Sequence, residues 1–200
     1  MSDRLGVKDR VGVEVIRKGS APAPVADGVM PQGKFILEHW RNGQRINEYH
    51  FHNLVTNEGK NRMFNTLFKS TAQVANWYVG LISNTSYVAL AAGDDYADIG
   101  QTANQWKEFT TYTDNVNSGN ATTRPAWAAA SASAQAITNS TPAIFDITTG
   151  GTVKGAFISS GQTKGDHTAG GVLWAEGLFS SGDSVVAQGD QLKLTYSVGA

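Results

Sequence analysis

Between Ala143 and Val198 the chain changes character every eight to twelve residues. Five alternating apolar segments, Ala143 to Thr148, Thr152 to Ser159, Val172 to Phe179, Ser184 to Ala187 and Gln191 to Val198, are separated by runs rich in Gly, Ser, Thr and Asp, the residues that favour turns. A chain cut this often has no room for helices of ordinary length, and regular short strands are the pattern of a β-sandwich or jelly roll. Composition agrees. The polarity is carried by 18 Thr, 15 Ser and 13 Asn, while charged residues make up 16%, a mix suited to pleated strands and turns more than to solvated helices. With 200 residues and no cysteine, a core can form without disulfides, and thiol nucleophiles and thiolate metal sites are excluded.

The first half of the body fits the same class. From Lys34 to His52 two strand-like runs flank Asn42-Gly43, the dipeptide that best accepts the two positive φ angles of a tight hairpin. Met63, Phe64, Leu67 and Phe68 fall on one face at helical spacing behind Thr56 or Asn57 as N-cap, which predicts one short helix within Asn57 to Lys69, packed on the sheet. Trp77 to Ile82 reads as a buried strand in which Gly80 lets a neighbour approach. Ser83 to Asn120 reads as a long excursion with a helical turn near Ala91 to Ile99 and a strand from Trp106 to Thr113. The Ala-Ser run from Ala128 to Ala136 is expected to be a strand flat enough for another chain to pack on.

The fold expected is therefore mainly β: a sandwich or jelly-roll-like body with one or two short helices, over residues 33–200, preceded by an extended N-terminal arm and proline-containing linker over residues 1–32. Residues 1–70 carry 11 Lys+Arg and 7 Asp+Glu, a charge of +4, and residues 71–200 carry 5 and 10, a charge of -5, which together give the net -1. A basic leading third on an acidic body suggests an arm that lies against something acidic, with Arg4, Lys8, Arg10, Arg17 and Lys18 as contact candidates. The near-neutral total argues against nucleic acid as a partner. The long uncharged stretches are too rich in Ser, Thr, Asn and Gln to span a bilayer, and no secretory signal is visible, so no membrane is expected either.

Chemistry is hard to find. Glu48, His50 and His52 share one side of a predicted strand and could offer a metal three ligands, but an exposed hairpin edge explains them more simply. Asp94, Asp95 and Asp98 lack the spacing of a calcium loop. No nucleophile elbow and no phosphate-binding glycine loop occurs. The expectation is a protein that is no enzyme, with no metal and no cofactor. Of the five tryptophans, Trp77 and Trp174 lie in apolar strand runs where core packing is the default, while Trp40 and Trp106 are expected at the surface as candidate sugar platforms.

The succession Asn53-Leu54-Val55-Thr56-Asn57-Glu58-Gly59-Lys60-Asn61, Trp77-Tyr78-Val79-Gly80-Leu81, Arg124-Pro125-Ala126-Trp127 and Gly155-Ala156-Phe157-Ile158, closed by Gly171 to Phe179, Gly182-Asp183 and Gly189 to Leu192, resembles small structural proteins of tailed bacteriophage virions. The resemblance implies a virion component made in the host bacterial cytoplasm. First among such parts is a capsid decoration or cement protein binding the major capsid protein or other virion proteins. A neck or tail component, a fibre or tip that binds a receptor or sugar, is the alternative. A homo-oligomer, dimer or trimer, is expected in either case.

Overall fold

The computed structural model describes residues 31–99, 106–115, 119–165 and 170–199. The arm candidates Arg4, Lys8, Arg10, Arg17 and Lys18 lie outside the described residues. Twelve strands occur among those described. In chain order they are β1 (Gln32–Arg41), β2 (Gln44–His52), β3 (Leu54–Val55), β4 (Tyr78–Ser83), β5 (Lys107–Phe109), β6 (Tyr112–Asp114), β7 (Ala136–Thr138), β8 (Ala143–Ile147), β9 (Gly151–Ser159), β10 (Leu173–Leu178), β11 (Ser184–Val186) and β12 (Gln191–Gly199), with one α-helix, α1 (Asn57–Phe68), between β3 and β4. No helix among the described residues is long and apolar enough to cross a membrane.

The strands form two antiparallel sheets. One runs β2-β1-β12-β8-β6, with β7 continuing the edge of β12 beyond β8; the other runs β3-β10-β9-β4-β5, with β11 on β9. Each sheet presents one apolar face to the other. Phe35 and Leu37 from β1, Phe145 from β8 and Leu192, Leu194 and Tyr196 from β12 meet Val79 and Leu81 from β4 and Val153, Ala156 and Ile158 from β9 in a single core. The alternation read from the sequence thus becomes the inside and outside of a sandwich. The hairpin forms as expected: Asn42 and Gly43 have φ of 50° and 74°, which sets Arg41 opposite Gln44.

The second sheet is covered on its outer face too. There Ile82, Phe157 and Leu173 pack under Tyr96, Ile99 and Trp106 from the long excursion, and β9 is buried on both faces from Gly155 to Ser159. Gly80 makes this possible. It pairs with Phe157 in register, and a Cβ at position 80 would run into the Phe157 ring. The expected helical turn is a 3₁₀ turn, Tyr96–Asp98, closed by a reciprocal capping box between Asp95 and Asp98.

Four expectations need correction. Trp106 to Thr113 is not one strand: β5 lies in the second sheet and β6 in the first, so the chain crosses the sandwich at Thr110-Thr111. The run Ala128 to Ala136 is no strand either. Up to Gln135 it makes only single bridges, Ala129 with Asn139 and Ser133 with Ala136, and it turns back through Ala134 and Gln135 at φ of 50° and 63°, a reversal no continuous strand contains; only Ala136 joins a ladder, as the first residue of β7. Third, α1 starts as predicted, with Thr56 Oγ1 accepting from the Gly59 N–H at 3.0 Å, but its apolar quartet does not pack on the sheet. Close contact is made by the first turn, where a Cβ at Gly59 would come within 2.5 Å of the Trp174 carbonyl. Phe64, Leu67 and Phe68 are 49%, 67% and 78% exposed. The fourth correction concerns Trp106, placed below.

Gly80→Ala is expected to destabilise the protein by about 1–3 kcal/mol because the Phe157 ring must move. Gly93→Ala, where an added Cβ meets open space, should stay within about 0.5 kcal/mol; urea unfolding of the two variants checks the pair.

Candidate functional site

The two tryptophans chosen as surface candidates separate. Trp106 is fully buried: its indole N–H donates to Asp94 Oδ2 at 3.0 Å and its ring lies 5.2 Å from that of Phe157. It is a plug over the second sheet, not a sugar platform, because the outer face of β9 offers an apolar bed for a large ring. Trp40 is half-buried at the hairpin end. Its N–H donates to Glu38 at 2.8 Å, Lys193 Nζ stands 4.2 Å over one ring face, and Asp146 and Gln191 share a recess of about 360 Å³ beside it.

The acidic residues are also engaged. Asp94 accepts from Trp106 and from the Ala91 N–H at 3.2 Å, and Asp95 accepts from the Ala97 N–H. Glu48 bonds Arg45 and His50, while His52 stands apart. Among the described residues no group of three or more His, Asp or Glu side chains could hold a metal ion.

Sequence reasoning missed three buried polar clusters. In the first, Arg124, fully buried, donates to Glu108 through Nε at 2.8 Å and Nη2 at 2.9 Å and to the Gly161 carbonyl through Nη1 at 2.6 Å. Glu108 also accepts the Gly165 N–H at 2.8 Å. In the second, Asp190 accepts from Arg41 twice at 2.7 Å, from the Ala187 N–H at 2.7 Å, and pairs with His39 at 2.8 Å. The hydrogen bonds from Arg41 hold the Asp190 carboxyl well below the usual carboxylate range. In the third, both Glu176 carboxyl oxygens are buried without a hydrogen-bond partner among the described residues. Burial, aided by the nearby charge of Asp94, pushes its pKa up to about 9. Ion pairs between residues far apart along the chain leave no local pattern, which hid the first two; Glu176 sits in an alternating strand, and its burial is decided by residues distant from it in the chain.

One broad concavity among the described residues is apolar. A groove of about 720 Å³ runs between α1, the segment after it and the turn before β7; its walls include Met63, Leu67, Trp77, Ile137, Trp174 and Val198. A second recess of about 210 Å³, lined in part by Trp127 and Ile158, shares Trp77, Trp174 and Val198 with it. Trp77 and Trp174 are thus not simply core residues: packed on the core from one side and on each other at 6.1 Å, they wall the groove from the other. Tyr196 fixes the floor. Its hydroxyl accepts from the Trp174 indole at 2.9 Å and its carbonyl from the Trp127 indole at 3.0 Å. Among the described residues Arg62 is the one charged residue lining the groove, and its Nη2 donates to the Ala72 carbonyl at 2.7 Å. Such a surface can exclude water and adhere; it offers few groups to orient a polar substrate.

No protein-family model matches the sequence, and no curated protein matches it.

Two measurements follow from the buried charges. Arg124→Met should cost about 3–5 kcal/mol by leaving Glu108 buried and unpaired, and adding Glu108→Leu should recover part of that loss in urea unfolding. Glu176 is protonated in the fold but has an ordinary value of 4.5 when exposed. Its contribution is therefore fully present below about pH 4.5 and is lost as pH rises toward 9, by several kcal/mol. Glu176→Gln should flatten that part of the stability–pH curve.

Proposed function

We propose that this chain is a non-enzymatic structural part of a tailed-bacteriophage virion, and within the virion a decoration or cement protein that binds and stabilises the capsid shell. The observation that carries the reading is the water-excluding face formed by the groove and the exposed Phe64, Leu67 and Phe68. A contiguous apolar surface of this kind marks an interaction site. The sequence resemblance to small virion proteins supports it, as does the commitment of the buried Arg, Asp and His side chains to bonds within the fold. In this reading the major capsid protein or another virion protein is the partner, the basic residues Arg4, Lys8, Arg10, Arg17 and Lys18 make the contact to it, and the protein resides in the virion after synthesis in the host bacterial cytoplasm.

A second reading is favoured by one observation. The recess beside Trp40 joins an indole to Asp146, Gln191 and Lys193, the mixture of aromatic face and polar groups that sugars use. It suits a neck or tail component that touches a receptor glycan.

Copy number separates the two, since a shell decoration is present on the order of hundreds per particle and a tail part at about a dozen or fewer. The expected outcome is the higher number, with purified protein restoring heat resistance to particles that lack it. Particles that are equally robust without it but fail to adsorb to cells would favour the second reading, and Trp40→Ala would then abolish adsorption.

A further inference from the structure

The groove and the helix beside it form one face with two reliefs. Phe64 and Phe68, stacked at 6.3 Å, and Leu67 form a ridge along α1, while Met63 and Leu67 on the same helix turn into the groove wall. A surface that carries an apolar ridge next to an apolar hollow is complementary to a two-fold copy of itself, as an isologous contact requires. We infer that this face is a two-fold interface between two copies of the chain, the α1 ridge of each seated against the groove of the other. The inference names the partner of the adhesive face and rests on the proposed function only in taking that face to be adhesive.

Area favours a second copy as the occupant. At about 200 Å² for a whole aromatic side chain, the exposed fractions of Phe64 and Phe68, with Leu67, amount to roughly 350 Å² of apolar surface. A standard interface takes about 800 Å² from each partner, of which about 60% is apolar. The ridge therefore supplies most of the apolar part and the groove walls the remainder. A free apolar ligand or a foreign protein would fill the hollow but leave the ridge without a matching hollow of its own.

The absence of cysteine allows a clean test on the full chain. In a two-fold contact a residue near the axis meets its own counterpart. Leu67→Cys should therefore form a disulfide-linked dimer under mild oxidation much faster than Val185→Cys, whose side chain is 70% exposed on β11. Sedimentation equilibrium should give a dimer for the unmodified chain, and Phe68→Glu should weaken it by about tenfold or more with its near-ultraviolet circular dichroism unchanged. A monomer, a trimer, a dimer indifferent to Phe68→Glu, or a Leu67→Cys chain that cross-links no faster than the Val185→Cys control would each overturn the inference. Particle binding is scored separately. A dimer that does not bind particles defeats the capsid reading alone, and a particle-binding monomer defeats this inference alone.

Discussion

A guanidinium cut off from water must find every one of its partners inside the protein, and Arg124 does so by drawing three separated pieces of chain together. Glu108 comes from β5, the Gly161 carbonyl from the turn after β9, and Arg124 itself from the stretch that leads past Trp127 to the groove. The guanidinium also lies 5.1 Å over the Phe157 ring, which occupies the space that Gly80 leaves open. The position of β5, the covering of the outer face of β9 and the path of the 124–127 segment are thus consequences of one desolvated charge. A buried pair of this kind adds less net stability than a well-packed apolar substitute would, but it penalises every arrangement that separates its members.

The groove depends on the same construction. Val79 N–H donates to the Pro125 carbonyl at 2.9 Å and Trp127 N–H to the Trp77 carbonyl at 2.8 Å, so the chain leaving Arg124 is stitched along the start of β4. That places Trp127 against Tyr196 and brings Trp77 and Trp174 to the open end of the sandwich. The adhesive face is therefore built on rigid strands, and its one helical wall is anchored at its N-terminus, where Glu58 accepts the N–H groups of Tyr96 at 2.9 Å and Leu173 at 2.6 Å.

Local chemistry made much of this legible in advance. The hairpin at Asn42-Gly43, the Thr56 cap, the close approach at Gly80 and the five late strands were visible because each is specified by residues next to one another in the chain. What stayed hidden was decided at a distance. Trp106 is polar enough at one edge to look like a surface ring, yet its N–H finds Asp94 and its face finds Phe157. The quartet of α1 has the period of a buried helix, and no feature of those residues reveals that three of the four stay exposed. In the Ala-Ser run, alternation suggested a strand, whereas the chain reverses at Ala134 and Gln135 instead. Of the candidate face, only the residues of α1 and the aromatic strands could be named from sequence; their meeting in a groove could not.

The pairing of β1 with β12 has a consequence for how such a chain is made. Nine residues of β1, from Gln32 to Trp40, register against nine of β12, from Gly199 to Gln191, and β1 is the only link between β2 and the rest of its sheet. On the ribosome, β1 and β2 can form their hairpin early, but the inner edge of that hairpin has nothing to pair with until β12 has emerged. Closing a loop of this length costs little more than closing a short one, so the delay is one of timing and not of final stability. Until then the unpaired edge of β1 and the faces of Phe35 and Leu37 stand open to other nascent chains. A protein built this way should place its heaviest demand on cellular folding assistance in the interval between the emergence of β1 and that of β12.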